Sequence, residues 1–352
     1  MTQDEYNTKL LVDLNAGIGP DIFAPTESTL IKFIRAKSIV PVPANVGEFV
    51  KAQAMNKGVL DAVSGPDGTI YGIPYFGDWP AMFYNADMYK EAGISRPPAT
   101  WDELVDTARK LTKRDAAGSV AVSGFFVRKS GAQLGTFEKW YPFFAANGGR
   151  LFDAGMTKSI FNSPEGVQAL QFYVDLMYTH KVDSFDAPKG DTDGFIGGNV
   201  AQYIREPDNI AAFQSEAPSL RFGTAVIPNG KAKARGMATI TPIVVSSGSK
   251  NQRAAFDLLM WLSSSAIDAR RCQALQMQPV LKSTAAASFY KENALLQPFL
   301  QQEADIFPFH LKSHEMEIVI GKYVETALHR GMTPKEALDQ AAKEVDELLR
   351  AQ

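Results

Sequence analysis

Thr69-Ile70-Tyr71-Gly72-Ile73-Pro74-Tyr75-Phe76-Gly77-Asp78-Trp79 is the stretch on which the reading of this chain turns. Its apolar run from Ile70 to Ile73 predicts a strand entering a proline-marked loop. The loop then carries three aromatic rings, Tyr75, Phe76 and Trp79, around one carboxylate, Asp78. Flat rings stack on the C–H faces of a hydroxyl-rich molecule, and an acid accepts its hydroxyl protons. The same rings would serve equally as core aromatics. A second apolar run, Ala81 to Tyr84, leads to Asn85-Ala86-Asp87, a helix start.

Working outward, Asp67-Gly68 reads as a hairpin-type turn before the key stretch. Upstream, residues 4–16 place Tyr6, Leu10, Leu11 and Leu14 at helical spacing and stop at Gly17-Ile18-Gly19-Pro20. Asp21-Ile22-Phe23-Ala24 predicts a short strand, and Thr26 or Ser28 caps the helix that follows. Residues 30–63 continue as helices broken at Pro41 and Pro43. Downstream, Thr100 with Glu103 three residues on forms a capping box for a helix running to about Lys113. Val120 to Phe126 alternates like a strand, with Val127-Arg128-Lys129-Ser130-Gly131 as its loop. Phe137 to Ala146 is an aromatic-rich helix ending at Asn147-Gly148-Gly149. Ser163-Pro164 starts the next helix, to about Tyr178. Phe195 to Ile204 reads as helix end, glycine turn and strand, followed by Arg205-Glu206-Pro207-Asp208. Phe222–Ile227 and Ala238–Ser246 are strands; Gln252–Ser264 and Ala266–Gln276 are helices. From about 286 the chain is helical apart from a break at Pro308, and a last helix reaches Leu349. Strands alternating with helices argue α/β layers.

A length of 352 residues favours two domains. The composition is globular, with 45% hydrophobic and 21% charged residues. A formal charge of −3, from 36 basic and 39 acidic residues, and the lack of a dense basic run give no support to a nucleic-acid partner. The one cysteine, Cys272, has no partner for an internal disulfide, and no base motif marks it as a nucleophile. The first residues show neither a basic n-region nor an apolar h-region, so no signal peptide is read in the sequence as given, and no apolar run is long enough to span a membrane.

Several catalytic and metal motifs fail. No dinucleotide or P-loop glycine pattern occurs, and Gly17-Ile18-Gly19 is a helix terminator. His310 and His314 are four apart, but without a His-Glu-x-x-His arrangement they read as surface histidines, and no metal or cofactor is expected. His180 and His329 have no neighbour suggesting a triad. Asp191 and Asp193 could serve a glycosidase, yet Lys189-Gly190-Asp191-Thr192-Asp193-Gly194 reads more simply as a solvated turn.

The order of these signals resembles the extracellular solute-binding proteins of carbohydrate ABC importers, the group that includes maltose-binding protein. The resemblance rests on Ala16-Gly17-Ile18-Gly19-Pro20-Asp21-Ile22, Asp67 to Tyr75, Tyr84-Asn85-Ala86-Asp87, Pro97 to Leu104, Asn147-Gly148-Gly149, Phe195 to Ala201, and Gly331 to Leu338. It covers nearly the whole chain. It implies a two-lobe α/β fold of the periplasmic-binding-protein type II class, with ligand held in a cleft that closes on binding. One lobe is expected from residues 1–85 and 242–305, the other from 90–236 and 311–352, with crossings near 85–90, 236–242 and 304–311. The resemblance further implies a monomer, located in the periplasm or at the cell surface, with no enzymatic activity and a membrane permease as partner.

Two departures from the family pattern stand out. Relatives carry a signal and a strand-helix-strand before the Gly-Pro-Asp motif, so roughly 40–50 mature residues of the first lobe are expected to be missing, leaving an open sheet edge. A misplaced start codon or an incomplete sequence is the expected explanation, with a cytosolic paralogue as the alternative. Where many relatives carry Gly-x-Trp after the glycine turn, this chain has Arg205-Glu206-Pro207-Asp208. The expected ligand contacts are Glu27, Tyr75, Asp78, Trp79 and Thr241 from the first lobe. Arg128, Trp140, Arg205 and Asp208 come from the second, with His310 near a crossing. Tyr75, Trp79 and Trp140 would stack; Glu27, Asp78 and Asp208 would accept hydroxyl hydrogens; Arg128 and Arg205 would donate. Core, surface or helix-terminal roles stand beside these for Trp140, the two arginines and Glu27. The ligand is then a sugar or sugar derivative. The alternatives are an anionic polyol, phosphorylated or sulfonated, held by the arginines, a carbohydrate hydrolase, and a structural or signalling lobe that keeps the fold and no ligand.

Overall fold

The computed structural model describes residues 3–129, 133–187, 191–308 and 310–350. Ser130, Gly131, Lys189 and Gly190, which belong to two of the expected loops, lie outside the described residues. The strands are β1 (Ile22–Phe23), β2 (Gly72–Asp78), β3 (Ala81–Asn85), β4 (Lys113–Arg114), β5 (Val120–Val122), β6 (Gln202–Arg205), β7 (Phe222–Ala225), β8 (Arg235–Val245) and β9 (Glu303–Ile306). Helices fill most of the intervals between them.

The chain divides into two compact units. The first comprises Met1–Asp78, Ala238–Asn293 and Asp305–His314; the second comprises Trp79–Met237, Ala294–Ala304 and Glu315–Gln352. The first border therefore falls at 78/79, ahead of the crossing expected near 85–90. The physical reason is that β3 pairs on both sides with strands of the second unit, so it belongs there. Residues 294–304 also fall in the second unit, where Leu295 O accepts the Thr224 hydroxyl at 2.7 Å and the Gln302 side-chain amide donates to Ala234 O at 2.7 Å.

In the first unit β8 is the organising strand. β1 and β2 lie antiparallel on either side of it, and β9 pairs with it as well. Phe23, Leu30, Phe33 and Val244 pack on one cluster of this unit, and Val46, Val50, Ile73, Val245 and Phe256 on another. The helix Glu27–Arg35 follows β1 closely and buries Leu30 and Phe33.

The expected loop after Ile73 is instead the body of β2, which runs on to Asp78. Pro74 lacks a ladder donor, but its partner on β8 is Pro242, which lacks one too. The register then shifts between Pro74 and Phe76, so Tyr75 is the extra residue of a bulge, one of the places where a strand tolerates proline. The strand expected over 120–126 is shorter than its alternation implied. β5 stops at Val122, and Ser123 makes only a single bridge to Val200. Asp191-Thr192-Asp193-Gly194, expected as a solvated turn, opens the helix Asp191–Ile196.

The second unit is built on β6-β3-β7, with β3 central. Phe83 on β3 is fully buried and its ring meets those of Phe195, Tyr203, Phe213, Phe222 and Phe299. Helix Gln133–Ala146 packs on helix Pro164–Tyr178, which in turn packs on helix Pro334–Arg350. Two expected caps are present: the Asn85 side chain accepts from the Asp87 and Met88 amides at 3.1 Å, and the Thr100 hydroxyl from the Glu103 amide at 3.3 Å. Thr26 takes the N-cap position of Glu27–Arg35 but makes no side-chain cap bond, and its hydroxyl lies 3.0 Å from that of Thr29 instead. Glu103 reaches back to the Ala99 amide at 2.7 Å and also pairs with Arg96.

Candidate functional site

In the first unit, Tyr75 and Phe76 meet edge to face with ring centroids 4.6 Å apart. The Arg271 guanidinium covers them, 3.9 Å from the Tyr75 ring and 4.6 Å from the Phe76 ring, and donates to Tyr75 O at 2.6 Å. Buried Asp268 fixes Arg271 from one helical turn away. One face of Tyr75 is thus already stacked by an internal cation, and the ring is half-buried. Asp78 ends β2 opposite Thr239, and Thr241 lies opposite Phe76; both Asp78 and Thr241 are half-buried.

Glu27 opens the helix Glu27–Arg35 and is buried, and its carboxylate accepts the Ile240 amide of β8 at 3.0 Å. A carboxylate in the first turn also answers the helix dipole. Glu27 lines a cavity of about 520 Å³ with Lys51, Lys57, Asp61, Ile70 and Phe307. The His310 amide donates to the Ser313 hydroxyl at 2.7 Å and its Nδ1 accepts the Lys312 amide at 3.1 Å, so this histidine organises the turn before helix Ser313–Leu328.

Trp79, expected in the first lobe, falls in the second unit because its half-buried indole N–H donates to Phe299 O of that unit at 2.8 Å, which also fixes the plane of the ring. Trp140 is 0% exposed and packs on Phe144 with centroids 5.0 Å apart. This corrects the expectation that Trp140 stacks on ligand: its face of helix Gln133–Ala146 points into the core. Asp208 is exposed in the first turn of helix Asp208–Glu216 and accepts from the Asn209 side-chain amide at 2.9 Å.

The two expected arginines are brought together by a residue that the sequence reading set aside. Asp191 pairs through one oxygen with Arg128 Nη1 and through the other with Arg205 Nε at 3.2 Å. Arg128 lies beside Gly135 of helix Gln133–Ala146, where an added Cβ would sit 3.3 Å from Nη2. Its backbone amide donates to the buried Tyr173 hydroxyl at 2.9 Å. Arg205 ends β6, and its neighbour Glu206 pairs with buried Lys139, which lies 3.4 Å from Glu138. Phe125, Phe126, Tyr173 and Ile204 close around these charges and leave only about 10 Å³ of free space, room for no more than a single water.

The cluster alternates cations (Arg128, Arg205, Lys139) with carboxylates (Asp191, Glu206, Glu138), and its electrostatics follow from that. Burial opposes the charge on Lys139, but Glu206 and Glu138 outweigh it and hold the ammonium above its ordinary value. Burial likewise opposes the Glu206 charge, and Lys139 and Arg205 outweigh it, holding that carboxyl below its ordinary value. For Glu138 burial wins, and the carboxyl is pushed up. Asp191, Glu206, Lys139 and Glu138 are the members of this site that sequence reasoning missed. A charged Arg-Glu pair at the end of a strand was the available signal.

The chain matches the family model for bacterial extracellular solute-binding protein over residues 2–269. A protein named as a binding protein in Brucella abortus (strain 2308) is 27% identical over 350 residues, covering 97% of this chain and 82% of that protein. The sn-glycerol-3-phosphate-binding periplasmic protein of Escherichia coli (strain K12) is 23% identical over 304 residues, covering 80% and 68%. Among solved structures, an ABC transporter solute-binding protein of Thermotoga lettingae bound with α-D-tagatose superimposes with a TM-score of 0.80 at 26% identity, covering 99% of this chain and 90% of that one. Maltose-bound MalE3 of T. maritima superimposes with a TM-score of 0.83 at 25% identity, covering 99% and 89%. The family match spans more than half of the sequence and the solved relatives share its fold throughout, so this chain belongs to the bacterial extracellular solute-binding protein family.

Proposed function

We propose that this chain is the substrate-binding component of an ABC importer. It binds a sugar or sugar derivative outside the cytoplasmic membrane, in the periplasm or at the cell surface, and delivers it to a membrane permease without chemical change. The observation that carries this reading is the shared fold with proteins solved in complex with tagatose and with maltose. Trp79 supports it: a half-buried ring, held by its own N–H, can stack on a sugar without first losing rotamer freedom. Tyr75, Asp78, Thr241, Glu27, Arg128, Arg205, Asp208 and His310 remain the proposed polar and aromatic contacts.

The anionic-polyol alternative draws on the relatives named for sn-glycerol-3-phosphate and on the two arginines. The pairing of both arginines with Asp191, and of Arg205 with Glu206 at 3.6 Å, weighs against it, because carboxylates of the protein already stand where a ligand anion would.

A thermal-shift screen over neutral mono- and oligosaccharides tests the proposal. A true ligand at a hundredfold excess over its Kd stabilises the protein by about 2.7 kcal/mol. The same ligand changes tryptophan fluorescence, and Trp79→Ala weakens its binding by about tenfold or more, as expected for loss of one stacked ring. A screen in which no sugar moves the transition, or a bound sugar that is hydrolysed, overturns the proposal.

A further inference from the structure

We propose that Asp191 is a built-in occupant of a two-arginine anion site, and that it keeps the ligand of this protein uncharged at that position. The selectivity half of this statement rests on the sugar-binding reading above; the anion-site half stands on geometry alone.

Two guanidinium groups from distant parts of the chain converge on one carboxylate. Arg128 comes from the segment after β5 and Arg205 from the end of β6, and Asp191 bridges them with its two oxygens. Convergent guanidiniums are how proteins hold carboxylates, sulfates and phosphates, because their forked donors match the spacing of anion oxygens. Here the anion is supplied by the protein. Donor capacity remains: the Arg128 Nε is buried and has no hydrogen-bond partner among the described residues. The other neighbours do not compete for the space. Thr192 donates to Asn209 at 2.7 Å, and Glu206, engaged by Lys139, also lies 3.6 Å from Arg205 Nε, outside the bridge between the two arginines that Asp191 alone makes among the described residues.

The site is also physically full. With Asp191 in place the space among Arg128, Lys139, Tyr173 and Arg205 is about 10 Å³, too small for a tetrahedral oxyanion beside the carboxylate. Asp191 adopts a left-handed backbone conformation, φ 60°, which is unfavourable for a residue with a Cβ but tolerated best by Asn and Asp. The two ion pairs hold it there. An anionic substituent on an incoming ligand would have to displace this carboxylate or sit beside it, and like charges at such separation repel. A neutral hydroxyl meets no such penalty.

The test uses the whole chain and sulfate as probe, titrated against chloride at constant ionic strength and read by thermal shift and calorimetry. Wild-type protein shows only the shallow, non-saturating stabilisation that sulfate gives any protein. Asp191→Ala gains saturable sulfate binding, about tenfold or more tighter than wild type, and Asp191→Ala/Arg205→Gln loses that gain. Asp191→Asn, which keeps the side-chain size and removes the charge, gains in the same direction by less. If Asp191→Ala folds only when sulfate is present, that dependence supports the site; if it folds under neither condition, Asp191→Asn decides. Saturable sulfate binding by the wild type equal to that of the variants overturns the proposal, as does a folded Asp191→Asn or Asp191→Ala with no gain. No sugar enters this readout, so a failed sugar screen leaves it standing and a failed sulfate gain leaves the sugar reading standing.

Discussion

Lys139 shows how much a single buried charge depends on its neighbours. Its side chain is 5% exposed and that of Glu206 is 16% exposed, so removing one leaves the other charged in a dry pocket. Lys139→Met should destabilise the protein by about 3 kcal/mol or more, read by urea denaturation. The pH dependence follows from the shifts. Glu206 is held below its ordinary value of 4.5, so its contribution is complete above that value and is lost as pH falls through its folded pKa. Lys139 is held above its ordinary value of 10.5, so its contribution is complete below that value and is lost as pH rises through its folded pKa. The stability gap between wild type and Glu206→Gln should therefore open as pH rises through the acid range and stay constant across neutral pH. A gap that closes between acid and neutral pH would show that the pair does not stabilise the fold. Glu138 does not cancel from this comparison: burial pushes its carboxyl up and the Glu206 charge adds to that push, so its change on Glu206→Gln works against the gap. None of this was legible locally. Lys139 sits 67 residues from Glu206, and Arg128 63 residues from Asp191.

At the scale of elements the sequence spoke clearly where the signal was local. The helix Trp101–Leu111 begins where Thr100 and Glu103 said it should, because a cap is decided within four residues. Thr100→Ala should cost about 1 kcal/mol, seen as a lower urea midpoint with an unchanged m-value. Strand limits were less legible. Pro74 reads as a stop until its rung partner is known to be Pro242, 168 positions away. The alternation past Val122 reads as strand although the segment beside it, 199–202, gives only one bridge at Ser123 and a bond from the Phe126 amide to Gln202 O at 2.8 Å. The aromatic face of helix Gln133–Ala146 was visible in the sequence, but whether Trp140 met ligand or core depended on what packed against it. Phe144 and the surrounding core decided that.

For the molecule as a whole, each unit is assembled from three separate stretches of chain. β1 and β2 both take their pairing from β8, so the first unit has no sheet until residue 245 has been made. A chain cut back to residue 237 should leave residues 1–78 rapidly digested by protease, and a resistant fragment containing Gly72–Asp78 would contradict this topology. The sequence alone determined the α/β class, most of the succession of elements and the family, because caps, turns and apolar periodicity act over a few residues and their order is itself a signature. The stretch after 286, read as helical, instead contains β9 (Glu303–Ile306), whose strand character comes from its pairing with the distant β8. Only the tertiary structure decided where the units divide, that Trp140 belongs to the core, and that Arg128 and Arg205 share Asp191. Those outcomes depend on contacts between residues far apart in the chain, and the energy of a charge or a ring is set by what surrounds it rather than by what precedes it.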